Sequence, residues 1–321
     1  MRTRVLTILS LLVLTLATAG ADQVRDLRGD EGVLMDLRPT GVEWLSKDRL
    51  FVVDQRWNAM HIFDTEGRRF RFIEFPRMIG PAFYAGTAHY KDNEYYVTGN
   101  HYHEKNNQRY LQQRAVIHKV IINGEELGAG SVEENYSPDM ALRKTRLFGS
   151  TPTQQMEISG IAMDEKHNRL FLGLARPLTE KGTILMLTGP LDEFLERKES
   201  MEFDLLDTGI KPPTEPACGT QFYLSDIEYV PDRGVVCLLT AEASGGHRFC
   251  SNQIWFLKGG FGPGKMIRQE LAPGNRATGI ALMKVGDFDY KVAMVCDNDP
   301  EETKIPSRLI ILDEPIRLQL R

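Results

Sequence analysis

The apolar positions of this 321-residue chain recur in short, strand-like runs rather than along a helical stripe. In each copy a small or polar residue precedes a few apolar positions, a polar turn and a run rich in β-branched and aromatic residues. The copies begin at Gly41, Gly86, Gly160, Asp226 and Gly279. Units of this length cannot bury an apolar face alone, and their repetition predicts a β-propeller.

The first unit shows how one blade is built. Its pattern predicts four strands, at residues 41–45, 50–54, 60–63 and 70–75, with the turn Asp64-Thr65-Glu66-Gly67 between the last two. The third and fourth units repeat this scheme. We therefore predict an all-β fold with a single propeller of five four-stranded blades, while residues 112–151 leave room for a sixth blade.

The two ends of the chain are predicted to close the ring. Apolar runs at residues 308–313 and 317–320 supply strands at the C-terminus, and residues 32–37 supply one at the N-terminus. Seating the N-terminal strand in the last blade would remove an open sheet edge. Two insertions, at residues 137–149 and 191–198, are predicted to be short helices that decorate the loops. The first has Ser137 as a possible N-cap, followed by Pro138 at the first helical position.

Residues 1–21 are predicted to be a secretory signal peptide, which leaves residues 22–321 as the propeller domain. Arg2 and Arg4 precede an apolar stretch at residues 5–17, and small residues with an A-x-A pattern follow it. The stretch is too short to cross a bilayer as a helix, which needs about 20 residues. We expect a periplasmic or secreted protein with no membrane insertion after signal cleavage.

The charge of the chain argues against nucleic acid as a partner. The formal net charge is −5, and no basic stripe runs along the sequence. Arg69 and Arg71 form a local cluster, but they alternate with Phe70 and Phe72 as on the solvent face of a half-buried strand.

The four cysteines all lie in the last third of the chain. An even number of cysteines in an exported protein indicates disulfide bonding, with three possible pairings. Cys218 and Cys250 lie in polar loops that contain glycine, whereas Cys237 and Cys296 lie in apolar strands and suit buried free thiols. The preferred prediction is a Cys218–Cys250 disulfide.

The motifs from residue 140 onward resemble a bacterial family of unknown function, DUF3616, and related propellers named for an esterase-like activity of phytase. The resemblance is carried by four segments, at residues 157–162, 172–178, 225–229 and 296–299. The family usually has an acidic residue before the third repeat glycine, where this chain has Ser159. The resemblance implies a propeller fold and, weakly, phosphoester chemistry, but no verified activity.

Polar residues close the second strand of each unit. Superposing the units brings Asp54, His101 (or Asn100), Arg176, Glu242 and Asp297 (or Asn298) into register. Equivalent strand ends of a propeller lie on one face around the axis, so these side chains are predicted to line one concavity. The alternative is that each strand simply ends in a polar residue where it reaches solvent.

Two candidate metal sites are visible in the sequence. Asp297, Asp299 and Glu301 form a dense oxygen cluster that could hold Ca²⁺, although it lacks the spacing of a helix–loop–helix calcium loop. A solvated acidic turn is the competing interpretation. His101 and His103 share one strand face, as zinc ligands do, but a third ligand is not evident; His89 and Glu104 are the nearest residues.

The function predicted from these patterns is binding. The expected partner is a small polar, anionic or carbohydrate-like ligand, or an extracytoplasmic protein. The alternative is a phosphoester or glycoside hydrolase in which Arg176 holds an anion and Asp54, Glu242 or Asp297 transfers protons. Binding is preferred because the chain has no G-x-S-x-G, H-E-x-x-H or Walker motif.

Overall fold

The computed structural model describes residues 22–56, 59–74, 84–101, 116–123, 132–136, 156–198, 200–243 and 248–319. The signal peptide predicted at residues 1–21 and the helix predicted at 137–149 lie outside the described residues. In the described parts of the chain, no helix is long and apolar enough to cross a membrane. The sheets form five blades around one axis, which confirms the predicted β-propeller.

Blades 1 to 4 each contain four antiparallel strands in sequence order, from the axis outward. Blade 1 comprises β4 (Pro39–Ser46), β5 (Arg49–Asp54), β6 (Ala59–Asp64) and β7 (Arg69–Glu74). Blade 2 comprises β8 (Tyr84–Lys91), β9 (Glu94–Gly99), β10 (Ile117–Ile121) and β11 (Val132–Tyr136). The segment that left room for a sixth blade therefore supplies the outer strands of blade 2.

Blade 3 comprises β12 (Glu157–Asp164), β13 (Arg169–Arg176), β14 (Leu185–Pro190) and β15 (Asp204–Asp207), with the predicted helix α1 (Leu191–Leu195) after β14. Blade 4 comprises β18 (Tyr223–Val230), β19 (Gly234–Glu242), β20 (Phe249–Lys258) and β21 (Lys265–Leu271). A hairpin of β16 (Thr214–Glu215) and β17 (Thr220–Gln221) precedes it.

Blade 5 is assembled from both ends of the chain, as predicted, although the N-terminal strand is a different segment. It comprises β22 (Ala277–Lys284), β23 (Asp289–Cys296), β24 (Arg308–Ile311) and, as its outermost strand, β1 (Gln23–Asp26). A short β25 (Ile316–Arg317) also pairs with β23, and helix α2 (Pro300–Thr303) lies between β23 and β24.

The predicted closing strand at residues 32–37 is not the strand that pairs. Residues 28–33 instead form a hairpin of β2 (Arg28–Gly29) and β3 (Gly32–Val33), where Gly32 has a φ of 121°. Leu37 turns inward and packs with Leu27 between blades 5 and 1. The more apolar segment therefore fills the core, and the more polar β1 covers the sheet edge, where one face stays wet.

Among the described residues, the apolar core is divided into five clusters, and each cluster joins two neighbouring blades. Phe51 of blade 1 and Tyr95 of blade 2 contact each other in one of these clusters, with ring centroids 5.7 Å apart. Apolar side chains are thus buried between neighbouring sheets, so a blade buries both of its faces only when both neighbouring blades are present.

The innermost strands approach one another at the repeat glycines. A Cβ atom at Gly160 would lie 2.6 Å from the backbone nitrogen of Ile227, and one at Gly86 would lie 2.7 Å from the Cα of Gly160. In blade 4 Asp226 takes this place, and its carboxylate accepts the backbone N–H groups of Ile227 at 2.8 Å and Ile280 at 2.9 Å. This side chain fills space at the axis beside Gly86 and Gly160. Two cavities lie along the axis, one lined by inner-strand residues before this position and the other by residues after it.

Candidate functional site

One of these cavities, here called the entrance cavity, opens where the inner strands begin. Its volume is about 270 Å³, and every blade contributes to its wall. Because neighbouring strands are antiparallel, the start of each inner strand lies beside the end of the second strand, and both supply side chains. The site is thus built from one pair of strand ends per blade.

The mouth of the cavity is formed by one residue per repeat, three positions before the residue at the axis. The axial residues are Gly41, Gly86, Gly160, Asp226 and Gly279. Arg38, Glu157, Tyr223 and Arg276 occupy this position in blades 1, 3, 4 and 5, and all four line the cavity. The equivalent residue of blade 2, Phe83, lies outside the described residues. Two cations, one anion and one phenol therefore face each other although they are distant in sequence.

A β-bulge in each inner strand directs a second layer of side chains into the cavity. In every blade the register with the second strand skips the residue immediately before the axial position. These bulged residues all line the cavity, and four of the five carry a hydroxyl group: Thr40, Ala85, Ser159, Ser225 and Thr278. A bulge re-aims a side chain that regular pleating would place on a sheet face.

Three of these hydroxyl groups also join neighbouring blades. Thr40 donates to the carbonyl of Tyr84 at 2.9 Å, Ser225 to that of Ala277 at 2.7 Å and Thr278 to that of Pro39 at 2.6 Å. Their protons are therefore committed to the scaffold. Each oxygen retains lone pairs with which it can accept a hydrogen bond from a ligand.

Asp297 is the fully buried anchor of the mouth. Its Oδ2 atom accepts hydrogen bonds from Arg276 at 2.7 Å, Gln55 at 3.0 Å and Arg38 at 3.2 Å. Its Oδ1 atom accepts the backbone N–H of Asp299 at 2.9 Å. With both oxygens occupied, this carboxylate holds the two arginines in place and is poorly suited to attack a substrate itself.

A further carboxyl group and a phenol adjoin Arg276. Oε2 of Glu242 lies 3.6 Å from its Nη1 atom, and burial raises the pKa of Glu242, against the opposing effect of Arg276. Burial also raises the pKa of Tyr223, with the charge of Glu242 adding to the effect. At neutral pH the phenol therefore stays protonated, and Glu242 holds its proton more tightly than an exposed glutamate.

The residues predicted to line one concavity are placed unequally. Asp297 lies in the cavity wall, and Glu242 contacts the wall residue Arg276. Arg176 is 58% exposed at the rim, on the same face as Asp297, and its Nε lies 2.8 Å from Oε2 of the wall residue Glu157. Arg176 therefore pairs with Glu157, an acid outside the predicted set.

Asp54 and His101 do not line the entrance cavity. Asp54 is fully buried at the end of β5, where it accepts the backbone N–H of Arg56 at 2.8 Å and borders a separate cavity with His61. His101 is buried with a φ of 53°, and burial lowers its pKa to about 3, so its imidazole is neutral. The wall positions in their blades are Gln55 and Asn100.

Register explains this difference. In each blade, one residue of the inner strand pairs with the second strand directly before the bulge. The residue after its partner on the second strand faces the cavity in four blades: Gln55, Asn100, Ala175 and Asp297. Superposing the units placed blade 1 one residue early and blade 3 one residue late, while in blade 2 the alternative candidate Asn100 lies in the wall and His101 follows it. Because side chains alternate along a strand, an error of one residue moves a side chain to the other face.

The predicted calcium ligands are each paired with arginine. Arg38 approaches Asp297 and Asp299, the latter at 3.7 Å, and Arg56 pairs with Glu301. Within the described residues, no group of three or more His, Cys, Asp or Glu side chains is arranged to hold a metal ion. Calcium binding stays a prediction. For zinc, His103 and Glu104 lie outside the described residues, and His89 lines the cavity at the opposite end of the axis.

The predicted disulfide is confirmed. Cys218 and Cys250 are bonded, with their Cα atoms 6.2 Å apart, while Cys237 and Cys296 are buried free thiols. The bond fastens the β16–β17 hairpin to β20. From that hairpin Thr220 donates to the carbonyl of Glu242 at 2.6 Å, so the disulfide supports a residue beside the entrance cavity.

Sequence reasoning missed the residues that dominate the mouth, Arg38, Glu157, Tyr223 and Arg276. A signal for them was available, because each stands three residues before the axial position of its repeat. The predicted site residues all lie at the ends of the second strands, whereas these four lie at the beginnings of the first.

No protein-family model and no curated protein matches the chain. Similar solved structures include a nidogen/laminin complex, with 11% identity and a TM-score of 0.37 over 80% of this chain and 74% of that one. Another is the PQQ-bound aldose sugar dehydrogenase of Streptomyces coelicolor, with 14% identity and a TM-score of 0.42 over 91% and 98%. A third is a "putative glycosidase" from Bacteroides thetaiotaomicron, with 10% identity and a TM-score of 0.45 over 86% and 87%. Such values carry no functional argument.

Proposed function

We propose that the entrance cavity binds a small, neutral, hydroxyl-rich ligand about the size of one sugar ring. The observation that carries the proposal is that the cavity wall has two layers. Charged side chains that pair with one another form the mouth, and a ring of hydroxyl oxygens lies below them. A cavity of about 270 Å³ is slightly smaller than the usual ligand pockets of about 300–1,000 Å³, which suits one ring rather than a chain.

Charge balance favours a neutral ligand over an anion. Arg38 and Arg276 are both bound to Asp297, and Glu242 lies against Arg276. An anionic ligand would have to compete with these carboxyl groups for the same guanidinium groups. A guanidinium has five N–H donors, however, so donors remain for ligand hydroxyls.

The hydroxyl layer supplies the complementary acceptors. Because Thr40, Ser225 and Thr278 donate to neighbouring blades, their oxygens face a ligand as acceptors. A sugar hydroxyl both donates and accepts, so it can bridge this layer and the arginines. Tyr223, whose phenol stays protonated, adds a ring face and a hydroxyl group at the mouth.

Calorimetric titration with neutral monosaccharides and polyols, compared with inorganic phosphate and sugar phosphates, tests the proposal. We expect the neutral compounds to bind, and Arg276→Gln and Tyr223→Phe to weaken binding by about tenfold or more, close to 1.4 kcal/mol. Arg317→Gln, which alters a 60%-exposed side chain on β25, is the matched control and should leave affinity unchanged. Preferential binding of the phosphates would contradict the neutral ligand.

Glycoside hydrolysis is the second candidate, and the environment of Glu242 favours it. A carboxyl group with a raised pKa suits a general acid, and Glu157 is the carboxylate at the mouth that could assist it. Assays with nitrophenyl glycosides and nitrophenyl phosphate test this candidate. Activity abolished by Glu242→Gln would support it, whereas turnover that survives in Glu242→Gln would rule out this assignment.

We propose that the protein acts outside the cytoplasm, in the periplasm or after secretion. The Cys218–Cys250 disulfide supports this location because such bonds persist in oxidising compartments. Intact-mass measurement on protein recovered from the periplasm or medium tests the predicted signal peptide. The mature chain should begin at Gly20 or Asp22, and retention of Met1 would contradict export by this route.

A further inference from the structure

The opposite end of the axis contains a second cavity, here called the far cavity, which has no part in the proposed function. Its volume is about 480 Å³, and the inner-strand residues that line it follow the axial position of the repeats, whereas those that line the entrance cavity precede it. Glu43 and Glu228 line it from blades 1 and 4. Both residues stand two positions after the axial residue, so the two carboxyl groups lie at the same level.

The other three blades have small side chains at this level. Their equivalent residues are Ala88, Ala162 and Ala281, whose methyl groups leave space around the axis. The sequence therefore places two carboxyl groups and three methyl groups in one ring. Close packing around the axis explains small side chains such as alanine at this level. It does not explain why two carboxyl groups lie there.

The two carboxyl groups lack compensating charge. Glu43 is 3% exposed, and its Oε1 atom is buried without a hydrogen-bond partner. In the part of the chain that the structure describes, neither Glu43 nor Glu228 forms an ion pair with lysine or arginine. Buried carboxyl groups in proteins are usually paired with a positive group, but the buried Glu43 and the half-buried Glu228 have no such partner among the described residues.

The electrostatic consequence agrees with the geometry. Burial raises the pKa of Glu43 to about 8, against smaller opposing effects of hydrogen bonds with the His89 backbone and the Thr87 side chain. Burial also raises the pKa of Glu228, and the charge of Glu43 adds to it. A cation between the two groups would replace their protons and remove their mutual repulsion.

The walls of the far cavity favour an organic cation. Trp44, Tyr90, Tyr229 and Tyr290 line it, and aromatic faces attract ammonium groups. Lysine ammonium groups already lie over two of these rings, Lys291 at 5.4 Å from Trp44 and Lys91 at 4.9 Å from Tyr90. Calcium, by contrast, requires six to eight oxygen ligands.

We propose that the far cavity binds an organic ammonium ion, such as a small alkylamine or diamine, with Glu43 and Glu228 as its carboxylate partners. The aromatic side chains form the walls around its carbon chain. This ligand enters at the end of the axis opposite the entrance cavity, so the two proposed ligands can bind independently.

The other charged groups around the far cavity do not replace this cation. Asp164 is bound by Arg169, Lys166 pairs with Asp232, and Arg233 lies 4.4 Å from the ring of Phe288. His89 contacts the backbone carbonyl of Asp92 through its ring nitrogen at 3.1 Å. Lys284 and Glu165 are exposed at the rim.

Isothermal titration calorimetry of the full propeller domain with methylammonium, 1,4-diaminobutane and tetramethylammonium tests the proposal. Titrations in two buffers of different ionisation enthalpy count the protons released. We expect an amine to bind with proton release, and binding to strengthen as the pH rises towards the pKa of Glu43 of about 8. Glu43→Gln and Glu228→Gln should each weaken binding by about tenfold or more.

Glu165→Gln is the matched control, because it removes a carboxylate from the rim of the same cavity and should leave affinity unchanged. Circular dichroism and melting curves establish that each variant is folded. Trp44 fluorescence and proton release in the unaltered protein provide readouts that need no variant. Absence of amine binding at millimolar concentrations, binding that survives both glutamine substitutions, or binding of calcium chloride in place of amines would overturn the proposal.

Discussion

At the scale of single residues, the axial position of each repeat decides what lies on either side of it. Four glycines let the inner strands meet, and Asp226 fills the remaining space while accepting two backbone N–H groups. Residues before this position face the entrance cavity, and Glu43 and Glu228 after it face the far cavity. One position in the repeat therefore separates two chemically different sites.

Glu43→Gln should alter the pH dependence of stability. Because the pKa of Glu43 is raised to about 8 in the folded state from 4.5, the folded chain binds the extra proton between these values. The free energy of unfolding of the unaltered protein should thus fall by a few kcal/mol as the pH rises from about 4.5 to 8. The glutamine variant should show a flatter profile in denaturant titrations across this range. An identical slope in both proteins would contradict the burial of an uncompensated carboxyl group.

Gly160→Ala should destabilise the ring severely. The new Cβ would lie 2.6 Å from the backbone nitrogen of Ile227 and 2.7 Å from Oδ1 of Asp226, and a backbone atom cannot move aside as a side chain can. We expect a loss of about 3 kcal/mol or more in chemical denaturation. Gly286→Ala is the control, because its new Cβ meets only the flexible side chain of Asp289 at 3.1 Å. Equal losses in the two variants would contradict close approach at the axis.

At the scale of elements, a repeated bulge connects the scaffold to the site. Each inner strand skips one residue in its register with the second strand, and the skipped residue faces the entrance cavity. Three of these residues, Thr40, Ser225 and Thr278, also donate hydrogen bonds to a neighbouring blade. The bulge therefore serves both ring cohesion and the composition of the cavity wall.

The disulfide is the second element-scale device, and its removal should loosen the position of Glu242. Cys218→Ser with Cys250→Ser frees the β16–β17 hairpin, from which Thr220 binds the Glu242 carbonyl. We expect the free energy of unfolding to fall by about 2–4 kcal/mol. Dithiothreitol should lower the melting temperature of the unaltered protein to that of the double variant and leave the variant itself unchanged. A reductant-sensitive double variant would show that another cysteine pair is responsible.

At the scale of the whole molecule, cohesion depends on closing the ring. The core clusters lie between blades, and blade 5 is complete only when β1 pairs with β24, from Gln23 opposite Ile311 to Asp26 opposite Arg308. An ion pair of 3.1 Å between Arg308 and Asp26 adds to this seam. The N-terminal segment thus joins the last blade to the first.

Deleting residues 22–26 should therefore expose β24 as an open edge. We expect a large fall in melting temperature together with concentration-dependent aggregation, because an unpaired strand can pair with another molecule. Light scattering during thermal unfolding measures both effects. Replacing Val24, which is 42% exposed, by threonine is the control and should leave both unchanged. An unaltered melting temperature after the deletion would show that β1 is peripheral.

The sequence by itself predicted five blades, with room for a sixth, as well as closure of the ring by both chain ends and a preferred disulfide. These features depend on local information, since apolar alternation and a glycine-led repeat fix each strand within its own unit. Cys218 and Cys250 could be preferred because their polar loops differed from the apolar strands around Cys237 and Cys296.

Only the tertiary structure decided which polar residues meet. Asp297 could be placed from its strand end, but Asp54 and His101 lie one residue away from the wall positions Gln55 and Asn100, and a shift of one residue turns a side chain to the other face of a strand. Arg38 and Arg276 meet on Asp297 only after the ring closes, which brings the beginnings of blades 1 and 5 together. The same closure places Glu43 opposite Glu228, since neighbours around an axis are set by geometry rather than by distance along the chain.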